Sequence, residues 1–324
     1  MRDVFFTKSE TFLPNEPVSN EEMEQYLGLI NGNESKARGL ILRSNKIKSR
    51  YYALDRDGNP THTNAQITAA AIRKLFDKQF GLDDVELLTC GTSSPDTIQP
   101  AHALMVQGEL GGKSLEVMSA HGTYIAFEKE FLRWMLSDGA AALLLENQPA
   151  KNSPSLRIDW VEIKSYANEL ESCMYAGSQK NEDGSLTGWR ELSSDEQNLH
   201  SIFSLKQDAK LLQKYIVPTG FRFLKEVLAK HDVSMDTYDY FLPHLSSMFF
   251  KDKIYEVMEG SGLKIPLEKW VLNLDRIGNI GSASAFFLID ELFHSGRIRK
   301  GERILVMVPE SARFSYTYIQ LSVV

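Results

Sequence analysis

Apolar residues recur along the first half of the chain in the order helix, strand, helix. Alanine and large apolar side chains appear at helical spacing through "NAQITAAAIRKLFDKQFG", which predicts a helix capped by Asn64 and ended by Gly81. Residues 85–90, "VELLTC", have the length and composition of a short buried strand. A second helix is predicted through "QPAHALMVQGELGG", after a loop rich in Ser, Pro and Asp.

The second half repeats this order. The pattern predicts an amphipathic helix over 220–232, a strand through "DYFLP" and another helix through "FFKDKIYEVMEGSG". Each half also has a late apolar strand, at residues 139–146 and 303–310. Strands that alternate with helices indicate a parallel or mixed sheet covered on both faces. The chain is therefore predicted to be a duplicated α/β protein, with a long polar surface loop at 177–197.

Composition and charge narrow the functional classes. Of the 324 residues, 43% are hydrophobic and 24% are charged, as in ordinary globular proteins, and the net charge of −7 argues against a protein that coats nucleic acid. The two cysteines, Cys90 and Cys173, are far apart and lack the spacing of a metal site, so neither a disulfide framework nor a metal is expected. No signal peptide or membrane-spanning stretch is expected, which predicts a cytoplasmic protein without a membrane partner.

Two polar residues stand where elements end. His244 follows Pro243, which cannot donate a ladder hydrogen bond and so should end its strand at the edge where open α/β sheets bind ligands. Asn279 lies between Gly278 and Gly281, just before a helix, where small residues allow close approach of a substrate. Each also has an ordinary structural interpretation: a core histidine bonded to a carbonyl, and an N-cap or turn asparagine.

Together with their surroundings, these residues resemble a known family. "PHLSS", "NLDRIGNIGSAS" and "KGERILVMVP" are similar, in this order, to the C-terminal half of β-ketoacyl-acyl-carrier-protein synthase III. "FLPNEPVSNEEM", "PDTIQPAHALMVQGELGGK" and "SDGAAALLLE" resemble segments of its N-terminal half. The resemblance covers most of the chain.

The resemblance implies a thiolase fold and an acyltransferase. We expect two similar halves, 1–150 and 151–324, with mixed five-stranded sheets in a layered α-β-α-β-α arrangement. The implied reaction is decarboxylative Claisen condensation of an acyl thioester with a malonyl- or β-ketoacyl-carrier thioester, for fatty-acid, secondary-lipid or polyketide synthesis, with no cofactor. His244 and Asn279 match the family's catalytic histidine and asparagine. A neutral His244 and the Asn279 carboxamide would donate to the enolate that loss of CO₂ leaves.

The family's cysteine nucleophile has no counterpart in the sequence. Where the family places it, followed by a helix and a strand, this chain reads "SAHGTYIAFEKEFLRWMLSDG". Either the encoded protein contains about forty more residues near Gly122 to Tyr124, enough for a helix, a strand and their loops, or it is a degenerate, non-condensing relative. We favour the first, because loss of core elements should prevent folding. Neither cysteine is expected to substitute, His121 is expected to be a loop or supporting residue, and Asp138 to be structural.

The resemblance also implies an oxyanion loop after the last apolar strand. Here "VPESARFSY" replaces the family's glycine run, so the backbone of Ser311 and Ala312 would supply the donor. A backbone N–H survives a change of side chain, so the role can persist.

The implied protein partner is an acyl carrier protein, which is acidic. Phe249 takes the place of the family's docking arginine, with Lys251 and Lys253 close by, and Arg43 matches an arginine that grips coenzyme A. The alternative for these lysines is a solvated helix face. A homodimer is expected through the edge strand of the first half. Two other functions stay open: an inactive subunit that pairs with an active partner, and acyl transfer without carbon–carbon bond formation.

Overall fold

The computed structural model describes residues 3–30, 32–121 and 130–324. Its strands alternate with its helices along both halves. The strands are β1 (Phe5–Phe12), β2 (Val18–Ser19), β3 (Ser49–Arg50), β4 (Leu87–Thr92), β5 (Glu116–His121), β6 (Ala140–Glu146), β7 (Leu156–Ser165), β8 (Met174–Tyr175), β9 (Ser178–Lys180), β10 (Leu186–Gly188), β11 (Lys206–Gln207), β12 (Tyr240–Pro243), β13 (Arg303–Glu310) and β14 (Ser315–Val323). The helices are α1 (Met23–Leu27), α2 (Arg38–Asn45), α3 (Asn64–Lys74), α4 (His102–Leu110), α5 (Glu130–Arg133), α6 (Ser194–Leu199), α7 (Ala209–His231), α8 (Met248–Gly260), α9 (Leu274–Ile277) and α10 (Ser284–His294).

The first predicted helix, α3, has different ends from those expected. Thr63, not Asn64, is the N-cap: its hydroxyl accepts from the Gln66 N–H, and the Gln66 side chain accepts from the Thr63 N–H. The helix also ends well before Gly81, because the Asp77 carboxylate accepts from two following backbone N–H groups and forms a turn. The prediction was wrong at both ends and right about the helical core.

The helix α7 is much longer than the predicted 220–232. Its N-cap is Asp208, whose carboxylate accepts from two N–H groups of the first turn, and it continues through Pro218. Proline removes one helical hydrogen bond. The hydroxyls of Tyr316 and Tyr318 donate to the backbone carbonyls of residues 216 and 220, on either side of that proline. Contacts with β14 therefore hold a helix that the local sequence alone did not predict.

Two other predicted segments also differ. The first-half strand β4 lies two residues further along than the predicted 85–90, and Cys90 falls inside it instead of at its end. The polar segment 177–197 contains the β9–β10 hairpin and most of α6, so it is not one continuous loop. The strands β12 and β13 lie where the pattern placed them, with β13 at Arg303–Glu310.

The C-terminal half forms a mixed sheet in the order β12-β13-β14-β7. The strands β12 and β13 are parallel, whereas β13, β14 and β7 are successively antiparallel. Phe241 of β12 also forms an isolated parallel bridge with Trp270. The helix α7 packs on β14 and on α8.

The N-terminal half also has parallel and antiparallel strand pairs, but they lie in two separate sheets. Its strands β1 and β6 are antiparallel and continue the C-terminal sheet through a short β1–β7 pairing. Its strands β4 and β5 are parallel and form a separate two-stranded sheet. The described strands therefore differ in number from the predicted pair of five-stranded sheets. The helix α3 contacts β1 and β6, and α10 contacts β1, β6, β12 and β13, so α10 lies between strands of both halves.

Among the residues with described structure, no helix combines the length and the apolar character needed to cross a membrane.

Candidate functional site

His244 stands directly after β12. Pro243 is the last residue of that strand and pairs with Met307 of β13, and the His244 N–H then donates to the Met307 carbonyl at 2.8 Å. This backbone bond fixes where the imidazole leaves the sheet. His244 lines two cavities.

Burial sets the charge of this histidine. Removal of the imidazole from water lowers the pKa of His244 from 6.5 to about 4. The ring is therefore neutral at pH 7 and carries a single N–H, as expected from the sequence. A neutral imidazole of this kind donates a hydrogen bond without bringing a full positive charge into the site.

Asn279 is held by its backbone and by its carboxamide oxygen. Its N–H donates to the Met135 carbonyl, and its own carbonyl accepts from the Ser137 N–H, both at 2.9 Å. Its Oδ1 accepts from the Gly281 N–H at 3.0 Å and from the Ser284 hydroxyl at 3.4 Å. Because a backbone N–H can only donate, the atom that faces Gly281 must be the oxygen. The amide NH₂ of Asn279 consequently points away from Gly281 and, as a nitrogen group, can only donate.

A small cavity of about 10 Å³ connects the two predicted segments. His244 lines it from one side, and Asn273, Gly278 and Ser284 line it from the other. Asn279 itself does not line this cavity, but the residue before it and the hydroxyl bonded to its Oδ1 do. Gly278 has φ +74°, and a Cβ there would come within 2.8 Å of the Ser137 side chain, so glycine is required. The structure thus brings the histidine and asparagine segments to one place.

His244 also lines a larger, apolar cavity of about 50 Å³. It is bounded by α7, α8 and the C-terminal ends of β12 and β13, together with two tyrosines of β14. Its walls are formed by Ile216, Val217, Gly220, Phe221, Leu224, Phe241, His244, Leu245, Ser246, Phe250, Ile254, Met258, Met307, Pro309, Tyr316 and Tyr318.

Neither cysteine has the ionised thiol that a nucleophile needs. Burial raises the pKa of Cys90 to about 11 and that of Cys173 to about 12, so both thiols are protonated at neutral pH. The Cys173 thiol donates to the Asp208 carbonyl at 3.3 Å. These environments agree with the expectation that neither residue substitutes for the missing cysteine. The expected nucleophile position, 122–127, lies outside the described residues, and the backbone of His121 pairs with Thr92 at the end of β5.

The loop that was expected to supply an oxyanion donor is internally bonded. The N–H of Ala312 donates to the Glu310 carboxylate, and the N–H of Arg313 does so at 3.4 Å. The Ser311 hydroxyl accepts from the Gln207 amide at 3.4 Å. The Ala312 N–H is thus already satisfied by a carboxylate, which leaves Ser311 as the predicted backbone donor in this loop. Glu310 was missed, although it stands two residues before Ala312.

Asp138 has the structural role expected of it. Its carboxylate accepts from the Ala53 N–H at 2.9 Å, and its own N–H donates to the Tyr51 carbonyl at 2.8 Å. These bonds join the start of β6 to the segment that follows β3. Asp138 therefore positions the backbone next to Ser137, which in turn binds Asn279.

The residues expected to dock a carrier lie on α2 and α8, two helices that pack together. Arg43 is exposed, and its Nε donates to the Gly39 carbonyl at 3.0 Å. The Lys253 ammonium lies 4.3 Å from the centre of the Phe249 ring, a cation–π arrangement. Lys251 is 3.7 Å from Asp252, an acidic neighbour that offsets part of its charge. The structure thus places all four residues on adjoining helices.

The sequence reasoning missed two polar residues of the small cavity. Asn273 and Ser284 are both buried, and both line it. Asn273 begins the motif "NLDRIGNIGSAS", and Ser284 is the last serine of that motif. The sequence did offer a signal for both residues: each is a polar residue inside a motif already assigned to the site.

Comparisons with known proteins agree with this geometry. Residues 228–309 match the family model described as 3-oxoacyl-acyl-carrier-protein (ACP) synthase III C terminal. The β-ketoacyl-acyl-carrier-protein synthase III of Clostridium perfringens is 23% identical over 332 positions, which cover 91% of this chain and 92% of that protein. Among solved structures, the tetronic acid condensing enzyme AbyA1 has a TM-score of 0.75 at 18% identity, with 98% of this chain and 99% of that one covered. The synthase III of Aquifex aeolicus has a TM-score of 0.72 at 16% identity, with 98% and 99% covered. The predicted fold is confirmed.

The Clostridium alignment also bears on the missing segment. It spans 332 positions, yet 91% of the 324 residues of this chain is only about 295, so about 37 positions hold no residue of this chain.

Proposed function

We propose that this chain, a β-ketoacyl-acyl-carrier-protein synthase III-like condensing enzyme of the thiolase superfamily, catalyses decarboxylative Claisen condensation of an acyl thioester with a malonyl- or β-ketoacyl-carrier thioester. The observation that carries the proposal is the position of His244 at a cavity shared with the Asn279 segment. The imidazole is neutral, because its pKa is about 4. A donor pair of this kind suits a substrate that becomes an enolate.

In the proposed reaction, the bond between the α-carbon and the carboxylate of the donor breaks, and CO₂ leaves. The bonding electron pair forms an enolate, whose negative charge concentrates on the thioester oxygen. The N–H of His244 and the NH₂ of Asn279 donate to that oxygen. Donors held in place by the protein stabilise such a charge without the reorganisation that water would need. The enolate carbon then attacks the acyl thioester carbonyl, and the thiolate of that thioester is expelled.

The residues at hand favour direct attack on the acyl thioester over a cysteine-bound intermediate. Cys90 and Cys173 are the only cysteines of the sequence, and both are buried with raised pKa values. A protonated thiol is a poor nucleophile. An acyl group would therefore react from its own carrier or coenzyme A thioester, unless the encoded protein has a cysteine near 122–127.

The test is product formation from a labelled malonyl carrier and an acyl thioester. The wild-type chain is expected to form a β-ketoacyl thioester, and His244→Ala is expected to form it about 10²–10³-fold more slowly while its circular dichroism is unchanged. Unchanged turnover in His244→Ala would remove the assignment of the histidine.

An intact mass of 36.7 kDa would exclude extra residues in the purified protein, and a larger mass would support them.

A second function is favoured by a specific observation. The parallel pair β4–β5 is not hydrogen-bonded to β6, and no thiolate stands in the described part of the site. These features would suit a non-condensing subunit that pairs with an active partner. Such a subunit would release no CO₂ alone but would raise the turnover of a co-purified synthase.

Acyl transfer without carbon–carbon bond formation would give a transferred acyl group without CO₂ release.

The proposed partners are an acyl carrier protein and a second copy of the chain, in the cytoplasm. The exposed Arg43 and the Lys253–Phe249 pair support a surface for an acidic carrier. The strand β5 is paired only with β4 among the described residues, and its Met118 is 60% exposed. An exposed edge with apolar side chains supports pairing with the same edge of a second copy.

A further inference from the structure

His244 lines two cavities of different character. The small cavity mixes polar residues, Asn273 and Ser284, with leucines, whereas the larger cavity is lined mainly by aliphatic, methionine and aromatic side chains, many of them from α7 and α8. Besides His244, only Leu245 lines both of these cavities. A ligand that accepts a hydrogen bond from the imidazole therefore lies next to a residue that forms part of the wall of the apolar cavity.

The apolar cavity is built into the packing of the C-terminal half. Gly220 faces it from α7, and a Cβ at that position would come within 2.7 Å of the Tyr316 ring, so the absence of a side chain lets β14 and α7 approach. The Tyr316 hydroxyl donates to a backbone carbonyl of α7 at 2.9 Å, and the Tyr318 hydroxyl does the same at 2.9 Å. With these hydroxyls bonded to α7, the tyrosines contribute mainly their rings to the wall. The space beside His244 is thus apolar.

We propose that this cavity holds a short alkyl substituent on the α-carbon of the donor thioester, so that the chain prefers α-alkyl malonyl donors to malonyl itself. The inference rests on the proposed function of His244. When the thioester oxygen contacts the imidazole, the α-carbon is two bonds away from that oxygen, close enough for its substituent to enter the cavity. A volume of about 50 Å³ gives room for roughly three to five water-sized groups, which corresponds to a propyl or butyl chain.

Decarboxylation of such a donor balances as it does for malonyl. The α-carbon loses CO₂ and keeps the electron pair as an enolate that carries the alkyl group. That carbon then attacks the acyl thioester and releases its thiolate, or takes a proton from water when no acyl thioester is present. The alkyl group takes no part in the bond changes and contributes binding only.

Binding can be measured without turnover. Calorimetry would follow malonyl-pantetheine analogues in which the carboxylate is replaced by a sulfonate that cannot leave, with hydrogen, methyl, propyl or octyl on the α-carbon. Each methylene that enters the cavity is expected to tighten the Kd about fourfold, and octyl is expected to bind no better than propyl. Acyl-pantetheines with the same chains form a second arm, and a chain-length gain only in that arm would overturn the proposal in favour of the acyl group of the other substrate.

Two variants of Ile254, which lines the cavity from α8, test the location. Ile254→Phe fills the space and is expected to abolish the gain from methyl to propyl, whereas Ile254→Ala enlarges it and is expected to shift the preference to octyl. Val257→Phe is the matched control, because Val257 lies on the same helix but does not line the cavity. The proposal is overturned if the gain survives in Ile254→Phe or is lost equally in Val257→Phe. Failure to release CO₂ from any donor, with this binding pattern intact, would instead count against the proposed function.

Discussion

The strands β12 and β4 occupy corresponding places in the two halves of the molecule, yet their neighbours differ. In the C-terminal half, β13 lies beside β12 and joins it to β14. In the N-terminal half, β4 is paired only with β5 among the described residues, and β6 only with β1. The strand that would correspond to β13 is therefore absent from the described N-terminal half.

Burial shows the same difference. Ile304, Leu305 and Val306 of β13 are 0% exposed. Leu87 of β4 is 48% exposed and Leu145 of β6 is 52% exposed, although both belong to apolar strands. Apolar strands with half-exposed leucines indicate surfaces that a further element would cover.

The two halves also differ in the residues that they could supply to the proposed condensation. The helix α10 follows the Asn279 motif in the C-terminal half and packs between strands of both halves. Its counterpart would follow β5, where the family carries its cysteine. The C-terminal half thus carries the residues proposed as donors to an enolate, whereas the described part of the N-terminal half shows neither a cysteine at the expected position nor a counterpart of α10.

The largest effect on stability is expected at the centre of the intact sheet. Leu305→Ala should lower the free energy of unfolding by about 2–5 kcal/mol, because it leaves a cavity in a fully buried strand. Leu145→Ala, on the open edge of β6, is the matched control. It should change the free energy of unfolding by less than about 0.5 kcal/mol. Urea unfolding of both variants checks the pair. Equal losses of unfolding free energy would show that the edge of β6 is covered. The difference between β13 and β6 would then not hold.

The next effect concerns pH. The pKa of His244 is about 4 in the folded chain and near 6.5 when unfolded, so between these values the unfolded state binds a proton that the folded state does not. The stability from His244 is complete above pH 6.5 and is lost as the pH falls toward 4, by about 3 kcal/mol in total. Urea unfolding at pH 7, 5.5 and 4.5 should show a steeper loss in wild type than in His244→Gln. Identical pH slopes in the two proteins would contradict the buried, neutral histidine.

The smallest effect is expected on the carrier surface. Lys253→Glu should weaken binding of an acidic acyl carrier roughly fivefold and reduce its salt dependence, because exposed charges act mainly on association. Lys264→Glu is the control, since that lysine follows the far end of α8 and is paired with Glu259 at 2.6 Å. Surface plasmon resonance at two salt concentrations would measure both. Equal weakening by the two variants would point to general charge attraction instead of a defined surface.

Much of the plan was predictable from the sequence because it depends on local patterns. The strands around Leu242 and Leu305 are apolar runs between turn residues, and the Asn279 motif has glycines where the backbone needs them. The length of α7 was not predictable, because its passage through Pro218 depends on tyrosine hydroxyls a hundred residues away in the chain. Such contacts leave no local signal.

The residues proposed for the site could be chosen from the sequence, whereas their surroundings could not be predicted from it. His244 and the Asn279 motif stood out because they end secondary-structure elements. The carboxylate of Glu310 on the Ala312 N–H, and the apolar cavity beside His244, arise from how loops and helices pack, so no spacing in the sequence indicates them.

The most direct test compares CO₂ release from a carboxylate-labelled malonyl carrier in three proteins: wild type, His244→Ala, and the double variant Cys90→Ala with Cys173→Ala. Removal of a donor to the enolate is expected to slow release by about 10²–10³-fold, while the double cysteine variant should release CO₂ at the wild-type rate. Release that survives in His244→Ala but disappears without the cysteines would contradict the assignment of decarboxylation to His244.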